Sequence, residues 1–329
     1  MTSIDEKIKV VLGNLPQKIH IVSNDDTLPI LLFLHGGPGV VNRHSIMQNH
    51  LDLLDTFTIV TWDQRGSGGS FKGARQDTLT VSQMTDDAAE LVQYLCKRFM
   101  KDKILIIGGS WGSVLGTFLV YRYPDNIAAF VGFGQVVDGT KNEEISYTFA
   151  LDAATAAGDE KSIKLLKSVG PPKKGIYTGG LKGLMKQRKV MMKYGGYSPD
   201  SKKDSLFKSF VIPVLLSGEY SISDIIGLIK GYRFVLSAMW PEVAGMDLAA
   251  ECGKFTVPYF ILDGRLDYNT PASLVEEYFE TIEAPNKELI WFESSGHNPM
   301  NDEPELFKNT LRSRLLAVIE AERKKGISI

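Results

Sequence analysis

The chain has little of what several classes of protein require. It has only two cysteines, Cys96 and Cys252, and neither has C-x-x-C or metal-ligand spacing, so each is predicted to be a buried, reduced thiol. No apolar run approaches the roughly 20 residues that a membrane-spanning helix requires. Lysine and arginine number 37 against 39 aspartates and glutamates, so the chain has no overall basic field for nucleic acid.

Further absences narrow the chemistry and the location. No H-E-x-x-H motif and no clustered set of histidine and aspartate appears, so neither a metal ion nor another cofactor is predicted. Residues 1–7 are charged and lack the apolar segment of a secretory signal, which predicts a cytoplasmic protein. With 329 residues, 43% of them hydrophobic, the chain can bury a large core in one domain or in a domain with an insertion. The composition leaves the oligomeric state open.

Short apolar runs alternate with amphipathic stretches in two parts of the chain. We predict strands at residues 8–12, 19–22, 29–34, 57–62, 103–107, 127–133, 257–262 and 287–292, and helices at 80–100, 113–123, 272–281 and 304–324. This alternation is typical of a mostly parallel sheet with helices on both faces. The pattern breaks after residue 138, where several helices are predicted. We therefore predict a first core part at 1–138, a helical cap at 139–250 and a second core part at 251–329.

A G-x-S-x-G sequence at residues 108–112 joins a predicted strand to a predicted helix. In such a turn the serine, here Ser110, lies on a strained elbow with its hydroxyl exposed at the end of the sheet. Gly108 and Gly112 are required because strand and helix nearly touch there and leave no room for a Cβ atom. The motif and its flanks together predict that Ser110 is a nucleophile.

A serine nucleophile needs a histidine base, and the histidine needs a carboxylate to orient it. On this architecture the chain order is serine, acid, histidine. Of the five histidines only His297 lies downstream of Ser110, in a loop after a predicted strand. Two aspartates follow the preceding strand. Asp267 lies farther along a loop that can curl toward His297 and is the predicted acid, whereas Asp263 is predicted to be a turn or helix N-terminal residue.

Backbone N–H groups are predicted to stabilise the oxyanion of a tetrahedral intermediate. One comes from Trp111, the residue after the nucleophile, and the second from the glycine-rich loop at residues 35–39. Glycine lets that backbone approach a substrate carbonyl without a side chain in the way. We predict that Gly37, rather than Gly36, is the second donor.

Taken together, the motifs resemble those of prolyl aminopeptidases (proline iminopeptidases), a branch of the α/β-hydrolases. They are His-Gly-Gly-Pro-Gly at 35–39, Trp-Asp-Gln-Arg-Gly-Ser-Gly at 62–68, Gly-Gly-Ser-Trp-Gly-Ser at 108–113, Gly-Arg-Leu-Asp at 264–267 and Ser-Gly-His-Asn-Pro at 295–299. The resemblance implies an α/β-hydrolase fold with an inserted helical cap. It also implies a Ser110–Asp267–His297 triad and an oxyanion hole formed by Gly37 and Trp111.

Substrate choice is predicted to lie in the cap. Members of the family that cleave N-terminal proline hold the free amine of the substrate with cap carboxylates, for which this chain offers Glu219 and Glu242. In the second motif, Asp63 and Arg65 are predicted to form a buried pair that braces the loop without touching the chemistry.

The leading prediction is an aminopeptidase that acts on short peptides with a free N-terminus, with proline preferred. The alternative is an esterase, lactonase or amidase that uses the same triad on a neutral acyl substrate and needs no carboxylate anchor. A non-catalytic binding protein is disfavoured because all three triad positions are filled, and a serine at the elbow excludes an aspartate nucleophile. A small peptide or acyl compound is the expected partner, rather than nucleic acid or a membrane.

Overall fold

The computed structural model describes residues 2–200 and 212–329. Within them, eight strands form one sheet in the order β1-β2-β4-β3-β5-β6-β7-β8. The strands are β1 (Ile4–Leu12), β2 (Leu15–Ser23), β3 (Ile30–Leu34), β4 (Thr58–Asp63), β5 (Ile104–Gly109), β6 (Ile127–Phe133), β7 (Tyr259–Gly264) and β8 (Lys287–Phe292). β2 is antiparallel to both of its neighbours, and the pairings from β4 across to β8 are parallel. The predicted α/β fold with a mostly parallel sheet is confirmed.

Helices flank the sheet and occupy most of the described residues between β6 and β7. They are α1 (Arg43–Asn49), α2 (Val81–Phe99), α3 (Trp111–Arg122), α4 (Gly139–Ala156), α5 (Glu160–Val169), α6 (Leu181–Lys193), α7 (Ile212–Leu216), α8 (Ile222–Gly245), α9 (Leu248–Glu251), α10 (Ala272–Thr281), α11 (Pro299–Asp302) and α12 (Pro304–Lys324). We call α4 to α8 the inserted helices. The division of the chain into two core parts and a cap stays a prediction.

Burial explains why most strands read as continuous apolar runs. Every residue of β3, β4, β5, β6 and β7 is buried, because helices cover both faces of the sheet there. One apolar cluster packs α2, α3 and α10 against the sheet, and a second packs α1 and α12 against the other face. β1 alternates between exposed and half-buried residues, so its charged first half gave no apolar run and the strand begins four residues earlier than predicted.

The parallel arrangement brings the carboxyl ends of β3, β5 and β7 to one edge of the sheet. The loops that follow these strands carry the glycine-rich sequence, the elbow serine and Asp267, and Asp263 lies near the end of β7 itself. In such sheets this edge is where ligands bind. None of the helices in the described residues has the length and apolar character needed to span a membrane.

Candidate active site

Ser110 lies in a strained turn between β5 and α3. Its backbone has φ 56° and ψ −124°, a combination that a residue with a side chain rarely adopts. The turn is tight enough that a Cβ atom at Gly108 would lie 2.1 Å from the carbonyl oxygen of Gly112, and one at Gly112 would lie 2.1 Å from that of Leu34. Both glycines are therefore required by close backbone approach, and Ser110 is half-buried at the tip of the turn.

The loop after β3 passes directly beside the serine. A Cβ atom at Gly36 would lie 3.1 Å from the Cβ of Ser110, and the next residue, Gly37, has a φ of 118° that favours glycine. Trp111 is the first residue of α3, so its N–H has no partner within the helix. The indole Nε1 of Trp111 donates to Oε1 of Gln64 at 2.9 Å, which holds its side chain in place. Trp111 therefore directly follows Ser110, and the loop approaches the serine at Gly36, next to the predicted donor Gly37.

The loops after β7 and β8 bring Asp267 and His297 together. Nδ1 of His297 lies 2.8 Å from Oδ2 of Asp267, and both residues are buried. Asp267 also accepts hydrogen bonds from the backbone N–H groups of Asn269 at 2.7 Å and Thr270 at 2.9 Å, and from the Thr270 hydroxyl at 2.6 Å. This set of donors fixes the carboxylate, which in turn selects the His297 tautomer with its proton on Nδ1 and its lone pair on Nε2.

Asp263 has a different set of partners at the end of β7. Its carboxylate accepts from the backbone N–H groups of Gly134 and Gln135, each at 3.0 Å, and so ties the loop after β6 to β7. Burial, followed by the nearby charge of Asp267, raises the pKa of Asp263 to about 7. The structure therefore brings Asp267, and not Asp263, to hydrogen-bonding distance from His297.

Three residues that the sequence did not single out pack around the base. The carbonyl of Tyr197 accepts from the His297 N–H at 2.7 Å, and the two rings lie 4.9 Å apart between centroids. The Thr270 hydroxyl lies 3.1 Å from Nδ1, and the Asn269 side chain lies 3.2 Å from Nε2. Thr270 and Asn269 follow Asp267 in the predicted acid loop, which was the available signal, whereas Tyr197 lies between β6 and β7, where no motif marks it.

The two glutamates predicted to bind substrate have partners elsewhere. Oε2 of Glu219 lies 3.0 Å from Nζ of Lys7 and 3.1 Å from Nδ1 of His20, over β1 and β2 at the edge of the sheet. Although burial alone would raise its pKa, the hydrogen bonds from His20 and Lys7 lower the pKa of Glu219 to about 2. Oε2 of Glu242 accepts from the N–H of Val81 at 3.0 Å and stabilises the start of α2. The structure does not bring either carboxylate to Ser110.

A different carboxylate on the inserted helices lies near the acid loop. Glu143 of α4 is 1% exposed and forms a two-pronged pair with Arg188 of α6, one contact of which measures 2.9 Å. The residue before it, Asn142, donates from Nδ2 to the carbonyl of Asn269 at 2.8 Å. The sequence around Glu143 has no motif. Only the fold shows that Glu143 is adjacent in the chain to Asn142, which contacts the acid loop.

The predicted pair between Asp63 and Arg65 does not form. Oδ1 of Asp63 lies 3.0 Å from Nε of Arg43, whereas Nε of Arg65 lies 2.7 Å from Oδ2 of Asp87 on α2. Asp63 is the last residue of β4 and Arg65 lies two residues later, and each braces the loop through a separate buried ion pair. The structural role predicted for them stands, but the partners were wrong.

Comparison with known proteins agrees with the geometry. The family profile described as alpha/beta hydrolase fold matches residues 29–158, which include the glycine-rich loop and the elbow. The chain has the α/β-hydrolase fold. A probable aminopeptidase of Bacillus subtilis (strain 168), YbaC, is 29% identical over 91% of this chain and 93% of its own length. The predicted resemblance to prolyl aminopeptidases is confirmed.

Solved structures show how broadly this hydrolase fold is used. The proline iminopeptidase of Mycobacterium smegmatis superposes with a TM-score of 0.66 at 17% identity, covering 97% of this chain and 99% of that one. A thermophilic esterase from Thermogutta terrifontis superposes with a TM-score of 0.56 at 19% identity, covering 96% and 99%. At these identities the likeness concerns the fold alone, so the choice between peptide and ester must be argued from the residues of this hydrolase.

Proposed function

We propose that this hydrolase is a serine aminopeptidase that releases an N-terminal proline, or another small residue, from short peptides. The observation that carries the proposal is the 2.8 Å contact between Asp267 and His297, formed by two loops that follow neighbouring strands at the same sheet edge as the Ser110 elbow. Such an acid–base pair beside a strained serine is the arrangement that activates a hydroxyl nucleophile.

The proposed reaction proceeds through an acyl-enzyme. Oγ of Ser110 attacks the carbonyl carbon of the first residue while Nε2 of His297 takes the hydroxyl proton, and the carbonyl oxygen becomes an oxyanion. The N–H groups of Gly37 and Trp111 stabilise that oxyanion. His297 then gives its proton to the leaving amine as the C–N bond breaks. Water, deprotonated by His297, hydrolyses the ester and returns the proton to Ser110.

An aminopeptidase must also recognise the α-ammonium group of its substrate. An ammonium group taken out of water needs a carboxylate partner, because an unpaired buried charge costs several kcal/mol. We propose Glu143 for this role in place of Glu219 and Glu242. It is buried on the inserted helices, and its neighbour Asn142 contacts the acid loop.

A second candidate, an esterase or amidase for neutral acyl substrates, is favoured by one specific observation. Arg188 already pairs with both oxygens of Glu143, so the pair is neutral as a unit and a neutral substrate would leave it undisturbed. The two proposals therefore differ in whether a substrate ammonium group shares the Glu143 carboxylate with Arg188.

Initial rates on paired substrates separate the two. An aminopeptidase should hydrolyse proline arylamide at least 10²-fold faster, by kcat/KM, than its N-acetylated form, which corresponds to about 3 kcal/mol of lost pairing. Glu143→Gln should lower the rate on the free amine and spare p-nitrophenyl acetate, whereas Glu144→Gln, on the exposed side of the same helix, should change neither. Indifference to acetylation, with faster turnover of the ester, would identify the esterase instead.

A further inference from the structure

The side-chain amide of Asn269 lies against the imidazole ring of His297. Its Nδ2 is 3.2 Å from Nε2 and 3.5 Å from Nδ1 of the ring. An in-line hydrogen bond to one ring nitrogen would leave these two distances clearly unequal. Their similarity places the amide over the face of the ring, so the contact leaves the lone pair of Nε2 free to point elsewhere.

The other sides of the imidazole are already occupied. A Cβ atom at Gly134 would lie 2.9 Å from Cε1 of the ring, so the backbone there is in close contact with it. Asp267 holds Nδ1, and the Tyr197 ring lies 4.9 Å from the imidazole between centroids. The titratable groups that face the ring in the described residues are thus Asp267, the neighbouring Asp263 and Tyr197.

Asn269 is itself held at both ends of its backbone. Its N–H donates to Oδ1 of Asp267 at 2.7 Å, and its carbonyl accepts from Nδ2 of Asn142 at 2.8 Å. Asn142 belongs to α4 and is only 5% exposed. A continuous chain of contacts therefore runs from an inserted helix, through Asn269, to the face of the candidate base.

We propose that Asn269 is a positioning residue for His297 and that Asn142 couples the position of α4 to it. The inference rests on the proposed role of His297 as the base. An imidazole bonded only through Nδ1 to Asp267 can still swing about that contact, and a misplacement of about 1 Å at a reacting group costs on the order of 10² in rate. The Asn269 amide restricts the swing from its side and the backbone at Gly134 restricts it near Cε1, so Nε2 stays available to Ser110.

The first test uses charge at the same position. Asn269→Asp replaces the amide with a carboxylate of equal size over the ring, and an opposite charge this close favours the protonated imidazole. The rate at which a fluorophosphonate labels Ser110 falls at low pH, and in this variant the fall should occur at a pH about one unit higher than in the wild type. Asn286→Asp adds the same charge beyond the opposite end of β7 and should leave the profile unchanged.

The second test is a double-mutant cycle on the same labelling rate. Asn269→Ala should slow labelling about 10²-fold and Asn142→Ala about 10-fold, because each releases the base partly. If Asn142 acts through Asn269, the double variant should be no slower than Asn269→Ala alone. Thermal unfolding of each variant, measured together with the rates, shows whether a slower labelling rate results from loss of the folded state.

The outcomes distinguish this inference from the proposed function. A wild-type protein that is not labelled at Ser110 would contradict the nucleophile itself. A labelled wild type with an unmoved pH profile in Asn269→Asp would overturn the positioning role. If the effects of the two single substitutions on the labelling rate multiply, so that the double variant is labelled about 10³-fold more slowly than the wild type, the coupling to Asn142 is overturned.

Discussion

At the scale of single residues, the candidate chemistry depends on which of two aspartates at the carboxyl end of β7 serves His297. Oδ2 of Asp267 lies 2.8 Å from Nδ1 of the base, whereas the carboxylate of Asp263 accepts hydrogen bonds from the backbone N–H groups of Gly134 and Gln135. The two side chains are four residues apart and both are buried, so only their partners separate a catalytic role from a structural one.

This difference predicts unequal effects of the same substitution. Asp267→Asn should lower kcat about 10⁴-fold, because the amide favours the wrong tautomer of His297. Asp263→Asn keeps an acceptor oxygen but turns an N–H donor toward the other backbone N–H, so it should cost stability and little rate. Steady-state kinetics and urea unfolding of both variants provide the check, and the reverse ranking of rates would assign the acid role to Asp263.

The sequence predicted the residues whose chemistry needs a motif, and it missed those that depend on loop packing. Ser110 is identified by the glycines on either side of it, which are required because strand and helix backbones approach closely there. His297 is identified because it is a histidine that follows the serine and the acid in the chain. Glu143 lies on α4 and Tyr197 lies in the loop after α6. No periodic strand pattern fixes the position of a side chain in this part of the chain. Glu219 was chosen there on residue type alone, and its actual partners on β1 and β2 are distant in sequence.

At the scale of elements, α8 lies directly on the loops that surround the site. A Cβ atom at Gly227 would lie 2.0 Å from the carbonyl oxygen of Gly68, and one at Gly231 would lie 2.4 Å from that of Gly66. The same helix touches the glycine-rich loop, since a Cβ atom at Gly39 would lie 3.2 Å from the Cβ of Val235. Glycine is a poor helix former, so these positions are set by packing and not by helix propensity.

Substitution of one of these glycines should therefore reverse the usual ranking of helix formers. In an exposed helix, glycine to alanine stabilises by about 1 kcal/mol. Gly227→Ala should instead destabilise by 1–3 kcal/mol, roughly the cost of overpacking, because backbone must move. Gly245→Ala, in the same helix with nothing within 4 Å of the new Cβ, is the matched control. Equal urea midpoints for the two variants would contradict the tight packing of α8.

The strands were the most predictable elements, because burial on both faces imposes continuous apolar runs on β3 to β7. The short helices α1 and α11 were not predicted, since four to seven residues give too few turns for a periodic pattern. Within the described residues, the interval between β6 and β7 consists mainly of helices, but their packing onto the loops could not be read from the sequence.

At the scale of the whole molecule, buried histidines couple stability to pH. Burial lowers the pKa of His35, His44 and His50 to about 4, and the nearby cations Arg43 and Lys308 add to the effect at His44 and His50. In the unfolded chain these side chains titrate near 6.5. Between pH 4 and 6.5 the unfolded state therefore binds more protons than the folded state, so the free energy of unfolding rises with pH across this window.

The three histidines together should contribute a slope of up to about 4 kcal/mol per pH unit, and Asp263, whose pKa burial raises to about 7, should oppose it by up to about 1.4 kcal/mol per pH unit. Urea unfolding at intervals from pH 4.5 to 8 measures it, and the histidine contribution should level off above about pH 6.5. His50 is fully buried, and neither ring nitrogen has a hydrogen-bond partner among the described residues. His50→Phe should thus lower the measured slope by up to about 1.4 kcal/mol per pH unit, and an unchanged slope would show that His50 does not titrate as described.

The central claim is that Ser110 is the nucleophile activated by His297, and peptide mapping after reaction with diisopropyl fluorophosphate tests it most directly. We predict a single stoichiometric adduct on the tryptic peptide that contains Ser110, and no adduct in Ser110→Ala. The adduct should form far more slowly at a pH low enough to protonate a histidine base. An adduct on another residue, or equal labelling of the Ser110→Ala variant, would contradict the account.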